Sequence, residues 1–257
     1  MKKHYTIERY QAAIKNLIKN KQPFQERAIG SRRMLVVGGE LRATIQPNDS
    51  LNIGEITKRE FASFLGHFSR NLNYCLKNER LAFTTIIFNG KSRSKNKDVW
   101  NEINDGDCFY NVDLKNAYWQ IAHKLGYITT DFYERYADME EYKQAKRYCI
   151  SFLSRRNECV YFDGKDKLTT IVCDTSVYTN VYSNIRKKLY ICVNEAIESC
   201  NGEYIDYNID AITVPEKHLQ SVINTFLGMG LEIKITRCFK ANKNQYFYGS
   251  KLKTFKK

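Results

Sequence analysis

The residues best suited to chemistry are aspartates at the ends of two apolar segments. Phe109-Tyr110-Asn111-Val112-Asp113-Leu114 reads as a strand closing on a carboxylate. Farther along, Tyr204-Ile205-Asp206-Tyr207-Asn208-Ile209-Asp210-Ala211-Ile212-Thr213-Val214 sets acidic residues at a bend between two apolar runs. Carboxylates on adjacent strand ends offer the hard oxygen donors that Mg²⁺ prefers, and two such ions about 3.5–4 Å apart are a common device for phosphoryl transfer. Asp113 and Asp210 are accordingly the candidate catalytic residues.

The rest of the composition suits a polyanionic partner. In 257 residues, 41 are basic and 28 acidic, a formal charge of +13, which attracts nucleic acid. The same excess of Lys, with abundant Asn, Ile and Tyr, also fits an AT-biased genome. The 18 Tyr and 14 Phe supply a packed core. Eight cysteines are scattered without a C-x-x-C pair and four histidines stand apart, so neither a zinc site nor a disulfide framework is expected. The opening Met-Lys-Lys-His-Tyr leads into a charged helix with no apolar signal core, and no run approaches membrane-spanning length. The expectation is a protein of a reducing cytoplasm (the host's, if phage-encoded) with no membrane partner.

These residues need elements to position them. Ile7, Tyr10, Ile14, Leu17 and Ile18 give residues 6–19 a helical period. Met34–Val37, Gly38-Gly39 and alternating Leu41, Ala43 and Ile45 predict a hairpin. Thr57–Glu60 is a capping box opening a helix with Phe61, Phe64, Leu65, Phe68 and Leu72 on one face, and Leu81–Phe88 reads as a strand. The cationic, turn-rich Lys91–Lys97 stretch predicts a loop or boundary near residue 100. Beyond it come strand 108–113, helix 114–125, a short insert, a basic helix at 138–155 and a long helix at 177–200 ended by Asn201-Gly202. Strands 203–207 and 210–214, a helix opened by Pro215, strand 231–237 and a final aromatic stretch complete the order. The fold class expected is α+β: residues 1–100 form an N-terminal α+β support region, and residues 101–257 follow a ferredoxin-like, split βαβ plan.

Four segments carry a family resemblance. Asp113-Leu114-x-x-x-Tyr118 resembles the first palm motif of family B DNA polymerases, D-x-x-S-L-Y-P-S, and Asp210-Ala211-Ile212-x-Val214 resembles the end of Y-x-D-T-D-S-I-x-V. Lys146-Arg-Tyr-Cys-Ile-Ser151 is similar to the helix motif K-x-x-x-N-S-x-Y-G, and Lys243-Asn-Gln-Tyr246 to the K-K-x-Y element. The motifs fall in the family's order over residues 108–250.

The resemblance implies a polymerase palm acting on primer–template DNA and a dNTP with Mg²⁺, or Mn²⁺ in its stead. Asp113 and Asp210 would hold the metals, joined by the Leu114 carbonyl, Asn208 and Asp206. Tyr118 would face the sugar, and Lys146 with Arg147, Arg155 or Arg156 the triphosphate. Lys240, Lys243, Tyr246 and Lys251 would contact DNA. Asn208 stands where the family has the first aspartate of D-T-D, and Ile150 replaces the helix-motif Asn. Only 27 residues separate Tyr118 from Lys146, so fingers and thumb are abbreviated. The first hundred residues lack an exonuclease D-x-E. The expectation is a minimal palm of a phage or mobile element, working with replication partner proteins. Its alternatives are a catalytically degenerate nucleic-acid-binding accessory or a reverse-transcriptase-like enzyme; the missing adjacent Asp-Asp pair weighs against the latter.

Overall fold

The computed structural model describes residues 5–29, 32–45, 54–154, 157–165, 168–172 and 177–255. In chain order the elements begin with α1 (Ile7–Lys19), β1 (Phe24–Ile29), β2 (Arg32–Val37), β3 (Glu40–Ile45), α2 (Lys58–Cys75) and α3 (Glu79–Phe83). Next are β4 (Ser94–Lys95), α4 (Lys97–Glu102), β5 (Cys108–Leu114), α5 (Ala117–Lys124) and α6 (Thr130–Ala137). A 3₁₀ turn at Glu140–Tyr142 leads to α7 (Lys143–Phe152), β6 (Asn157–Phe162), β7 (Leu168–Val172) and α8 (Val177–Ser199). The chain ends with β8 (Asp206–Asn208), β9 (Ala211–Pro215), α9 (Glu216–Gly228), β10 (Ile233–Asn242), β11 (Gln245–Tyr248) and β12 (Lys251–Thr254). The protein is mixed α+β with antiparallel sheets.

Two compact units share these elements, and they cut across the boundary expected near residue 100. The first comprises residues 1–70 and 139–182, the second residues 71–138 and 183–257. In the first unit, five strands run in the order β3-β2-β1-β6-β7, every neighbour antiparallel. Gly38 and Gly39, with φ of 59° and 83°, make the expected tight turn between β2 and β3. Tyr10 of α1 packs with Phe24, Leu35, Val37, Ala43, Ile45 and Phe162. Removing these side chains from water supplies the main drive for closing β6 onto β1 across a long stretch of chain. The capping box is present: Thr57 Oγ1 accepts from the Glu60 N–H at 3.2 Å and Glu60 Oε2 accepts from the Thr57 N–H at 2.7 Å.

The second unit is built on a seven-stranded sheet ordered β12-β11-β10-β5-β9-β8-β4. Its interior strands β5 and β9 are lined on one face by Val112, Leu114, Ile212 and Val214, all buried. Helix α9 packs against β5, β9 and β10. On the other face, Trp100 of α4 stacks on Phe255 at 4.4 Å and meets Phe109 edge-on at 5.8 Å, within a cluster that includes Ile205 and Cys238.

The expected strand at Leu81–Phe88 is replaced by α3 and an extended segment. Asn78 caps the helical turn through the Arg80 N–H. The segment beyond is held by one buried side chain in place of a neighbouring strand. Asn184 Nδ2 donates to the Thr84 carbonyl at 2.7 Å and to Tyr127 Oη at 2.8 Å, while Asn184 Oδ1 accepts from the Ile86 N–H at 2.9 Å. Buried polar groups left without partners cost about 1–3 kcal/mol each. Asn184→Leu should therefore lower unfolding stability by roughly 2–4 kcal/mol, read as a lowered urea midpoint with an unchanged denaturant slope.

Candidate active site

Strand β5 runs between β9 and β10, and its last residues bring Asp113 to a sheet end. Asp113 lies opposite Ala211 on β9 and opposite Lys234 on β10, while Ala211 lies opposite Asn208 on β8. Directly opposed antiparallel residues point to one face, so Asn208, Ala211, Asp113 and Lys234 form a row across four strands. Asp210 sits beside this row in the two-residue turn Ile209-Asp210. The Leu114 N–H donates to the Asp210 carbonyl at 2.9 Å, which ties the end of β5 to that turn. Hairpins this short usually employ residues with positive φ; Ile209 and Asp210 adopt none. Both aspartates are intermediate in exposure.

The turn after Asp113 is fixed from two sides. Asn116 takes a left-handed conformation (φ 43°) and its Nδ2 donates to the Ala137 carbonyl at 3.2 Å, so α5 starts at Ala117 rather than at 114. Gln120, buried, donates to the Lys115 carbonyl and to the Glu232 carbonyl, and its Oε1 accepts from the Glu232 N–H at 2.8 Å. Tyr118 is half-buried on the first turn of α5. The sequence reading passed over Gln120, since a mid-helix Gln reads as surface.

One residue pair deeper lies a second row: Lys95, Asp206, Thr213, Asn111 and Thr236. A ladder of side-chain hydrogen bonds runs along it. Tyr248 Oη donates to Asn111 Oδ1 at 3.0 Å and Asn111 Nδ2 donates to Thr213 Oγ1 at 3.0 Å. The Thr213 hydroxyl in turn bonds the Asp206 carboxylate. Burial raises the Asp206 carboxyl above its ordinary value, and the Thr213 hydroxyl and the charges of Lys95 and Lys253 only partly offset this. Burial and the neighbouring Asp206 also push the Tyr246 hydroxyl up to about 12.

The remaining candidates are dispersed. Asn208, exposed, shares the Asp113 row, whereas Asp206 lies one row down and is engaged with Thr213. Lys240 was expected to touch DNA, but its ammonium points inward. It donates to the Trp100 carbonyl at 3.0 Å and to the Ile103 carbonyl, and it lies 4.8 Å from the centre of the Trp100 ring. Its side chain fastens α4 to the sheet in place of meeting phosphate. Tyr246 is half-buried against Trp100 and Phe109, while the side chains of Lys243 and Lys251 are exposed. Within the first unit, Lys146 of α7 is 2% exposed and Arg147 is exposed. Arg155 and Arg156 lie outside the described residues.

No protein-family model, curated protein or solved structure matches this chain.

Among the described residues, no group of three or more His, Cys, Asp or Glu side chains is arranged as a metal cage. Mg²⁺ rarely needs one: it is commonly held by one or two carboxylates, with water and substrate phosphates completing the shell. Asp113, Asp210 and the exposed Asn208 supply oxygen donors of that kind at one end of the sheet. A cavity of about 400 Å³ at the other end of β5 and β9 is lined by Glu102, Asp107, Glu203 and Glu216. Hydrogen bonds from His218 and Lys217 hold the Glu203 carboxyl down at about 2.

The Asp206 environment predicts a pH signature. A carboxyl raised above its ordinary value of 3.8 stabilises the fold fully below that value. The contribution is lost as pH rises through the raised one. Asp206→Asn should therefore unfold at the same or a higher urea concentration than the natural protein at pH 7, with the difference vanishing as the pH is taken below the carboxylate range.

Proposed function

We propose that this protein is a nucleotidyltransferase that extends a DNA primer on a minimal, family-B-like palm. The observation that carries the reading is the closeness of the two segments: Asp113 is the last residue but one of the central strand β5, Asp210 occupies the turn beside it, and the Leu114 N–H donates to the Asp210 carbonyl at 2.9 Å. Strands β10-β5-β9-β8, numbered by their order in the chain from β5, follow the sequence 4-1-3-2. That order supports a split βαβ, ferredoxin-like reading, with Asp113 on the face opposite Val112, Leu114, Ile212 and Val214.

Bound Mg²⁺ would acidify a primer 3′-hydroxyl and offset the charge of a dNTP triphosphate. The protein's own groups supply placement. Asp113 and Asp210 offer oxygens for the metals, with Asn208 and the Leu114 carbonyl as neutral donors. Tyr118, on the turn that Asn116 and Gln120 fix, would pack against the incoming sugar. Lys234, across from Asp113, and the exposed Lys243 and Lys251 would meet phosphate.

Asn208 favours a second reading, a palm that has lost catalysis and serves as a nucleic-acid-binding accessory of a replication complex. It keeps an oxygen donor while removing a charge that two-metal sites commonly use.

Primer extension separates the two. The natural protein, given labelled primer–template, dNTPs and Mg²⁺ or Mn²⁺, should extend the primer. Asp113→Ala and Asp210→Ala should each reduce extension by roughly a thousandfold, with duplex affinity retained. Duplex binding without extension under either metal would favour the accessory reading.

A further inference from the structure

The extended segment that follows α3 has one paired edge and one open edge. In an extended chain the main-chain groups of alternate residues point to opposite sides. The Thr84 carbonyl and the Ile86 N–H share a side, and the buried Asn184 amide meets them at 2.7 and 2.9 Å. One side-chain amide thus stands in for a neighbouring strand. The side chains alternate as well. Ile86 and Phe88 are half-buried, with the Phe88 ring 5.3 Å from that of Tyr190, while Thr85 and Ile87 are exposed. The main-chain groups on the other side belong to Thr85 and Ile87. Among the described residues, nothing pairs with the N–H or the carbonyl of either.

The open edge says what would occupy it. Two donors and two acceptors along an extended chain match a second extended peptide, which gives each group a partner. Residues 84–88 contain no proline and no charge to blunt such pairing. Ile87 is 76% exposed and Phe83, at the end of α3, is 78% exposed. An incoming strand gains by setting apolar side chains against them. Residues 80–97 hold five basic residues and no Asp or Glu, and Arg80, Lys91 and Arg93 are exposed on either side of the segment in the chain. Acidic residues flanking a β-branched centre complement that arrangement. A second copy of this chain would bring the same cations with it.

We propose that the edge at residues 84–88 accepts an extended strand from a partner protein, apolar at its centre and acidic at its ends. This docking does not depend on phosphoryl transfer at Asp113.

Amide hydrogen exchange tests the edge first in the free protein. The Ile86 amide, bonded to Asn184, should exchange slowly, and those of Thr85 and Ile87 as fast as an unprotected chain. The probe is a capped peptide with the length of an ordinary strand, alternating Val and Thr between pairs of Glu. It should protect the Thr85 and Ile87 amides at least about tenfold and leave Ile86 unchanged. Ile87→Pro removes an N–H that the free protein leaves unpaired. It should keep the natural urea midpoint and bind the peptide about tenfold more weakly. N-methylation of alternate peptide residues should abolish binding in one set and spare it in the other, a pattern no folding defect produces. A Lys-flanked counterpart should bind at least about tenfold more weakly at low salt.

Thr85 and Ile87 amides as protected as Ile86 in the free protein would overturn the proposal. So would the absence of saturable binding, equal binding of the Lys-flanked peptide, or equal loss from both methylated sets. Protection that grows with protein concentration alone would assign the edge to a second copy instead. Asp113→Ala should bind the peptide as the natural protein does, so failure of the polymerase reading and failure of this one are separable.

Discussion

The ladder from Tyr248 through Asn111 and Thr213 to Asp206 is the constraint on which the second unit's sheet depends. It spans β11, β5, β9 and β8 on one face, with Tyr248 reaching over β10. Side chains in a strand alternate between faces, so a one-residue slip would send every ladder member to the wrong side. Apolar packing alone does not enforce that choice, because both faces of this sheet carry buried apolar residues. Polar groups with fixed donors and acceptors do. Asp113 and Asn208 lie one row beyond the ladder, so their register is inherited from it.

Two further polar side chains anchor the margins of this frame. Lys240 spends its ammonium on main-chain carbonyls of α4 and on the face of Trp100, an arrangement stabilised by desolvated cation–π attraction. Gln120 satisfies both the N–H and the carbonyl of Glu232, joining α5 to the approach of β10. Both are buried, and both hold main chain just outside the strands. The result is a stiff platform with carboxylates at one end and a strongly cationic surface along the β10–β12 side.

Much of this was legible in the sequence where the determinants are local. Asp113 at the end of an apolar run, the Gly38-Gly39 turn, the Thr57–Glu60 cap and the Asn201-Gly202 stop all depend on neighbours within a few residues, and all appear as read. The elements passed over are those whose reasons lie far away. β1, β6 and β7 carry weak patterns of their own and exist because they pair across the first unit. Leu81–Phe88 is a short apolar run, for which periodicity cannot separate helix from strand; Asn78 and the distant Asn184 decide it. Lys240 could not be found, because a lysine in a basic tail carries no sign of the Trp100 ring that encloses it. The approach of the end of β5 to the Ile209-Asp210 turn was readable only as two segments expected to meet at one sheet edge; the register then supplied Asn208 as the row partner of Asp113 and set Asp206 one step away.

The central claim is that Asp113 and Asp210 act as one divalent-metal site. The most direct measurement is electron paramagnetic resonance counting of bound Mn²⁺, with a dideoxy-terminated primer–template and the next dNTP present. The account predicts Mn²⁺ bound by the natural protein beyond what nucleotide and DNA hold alone, and lost in both Asp113→Asn and Asp210→Asn. Equal Mn²⁺ occupancy in the natural protein and both variants would contradict it.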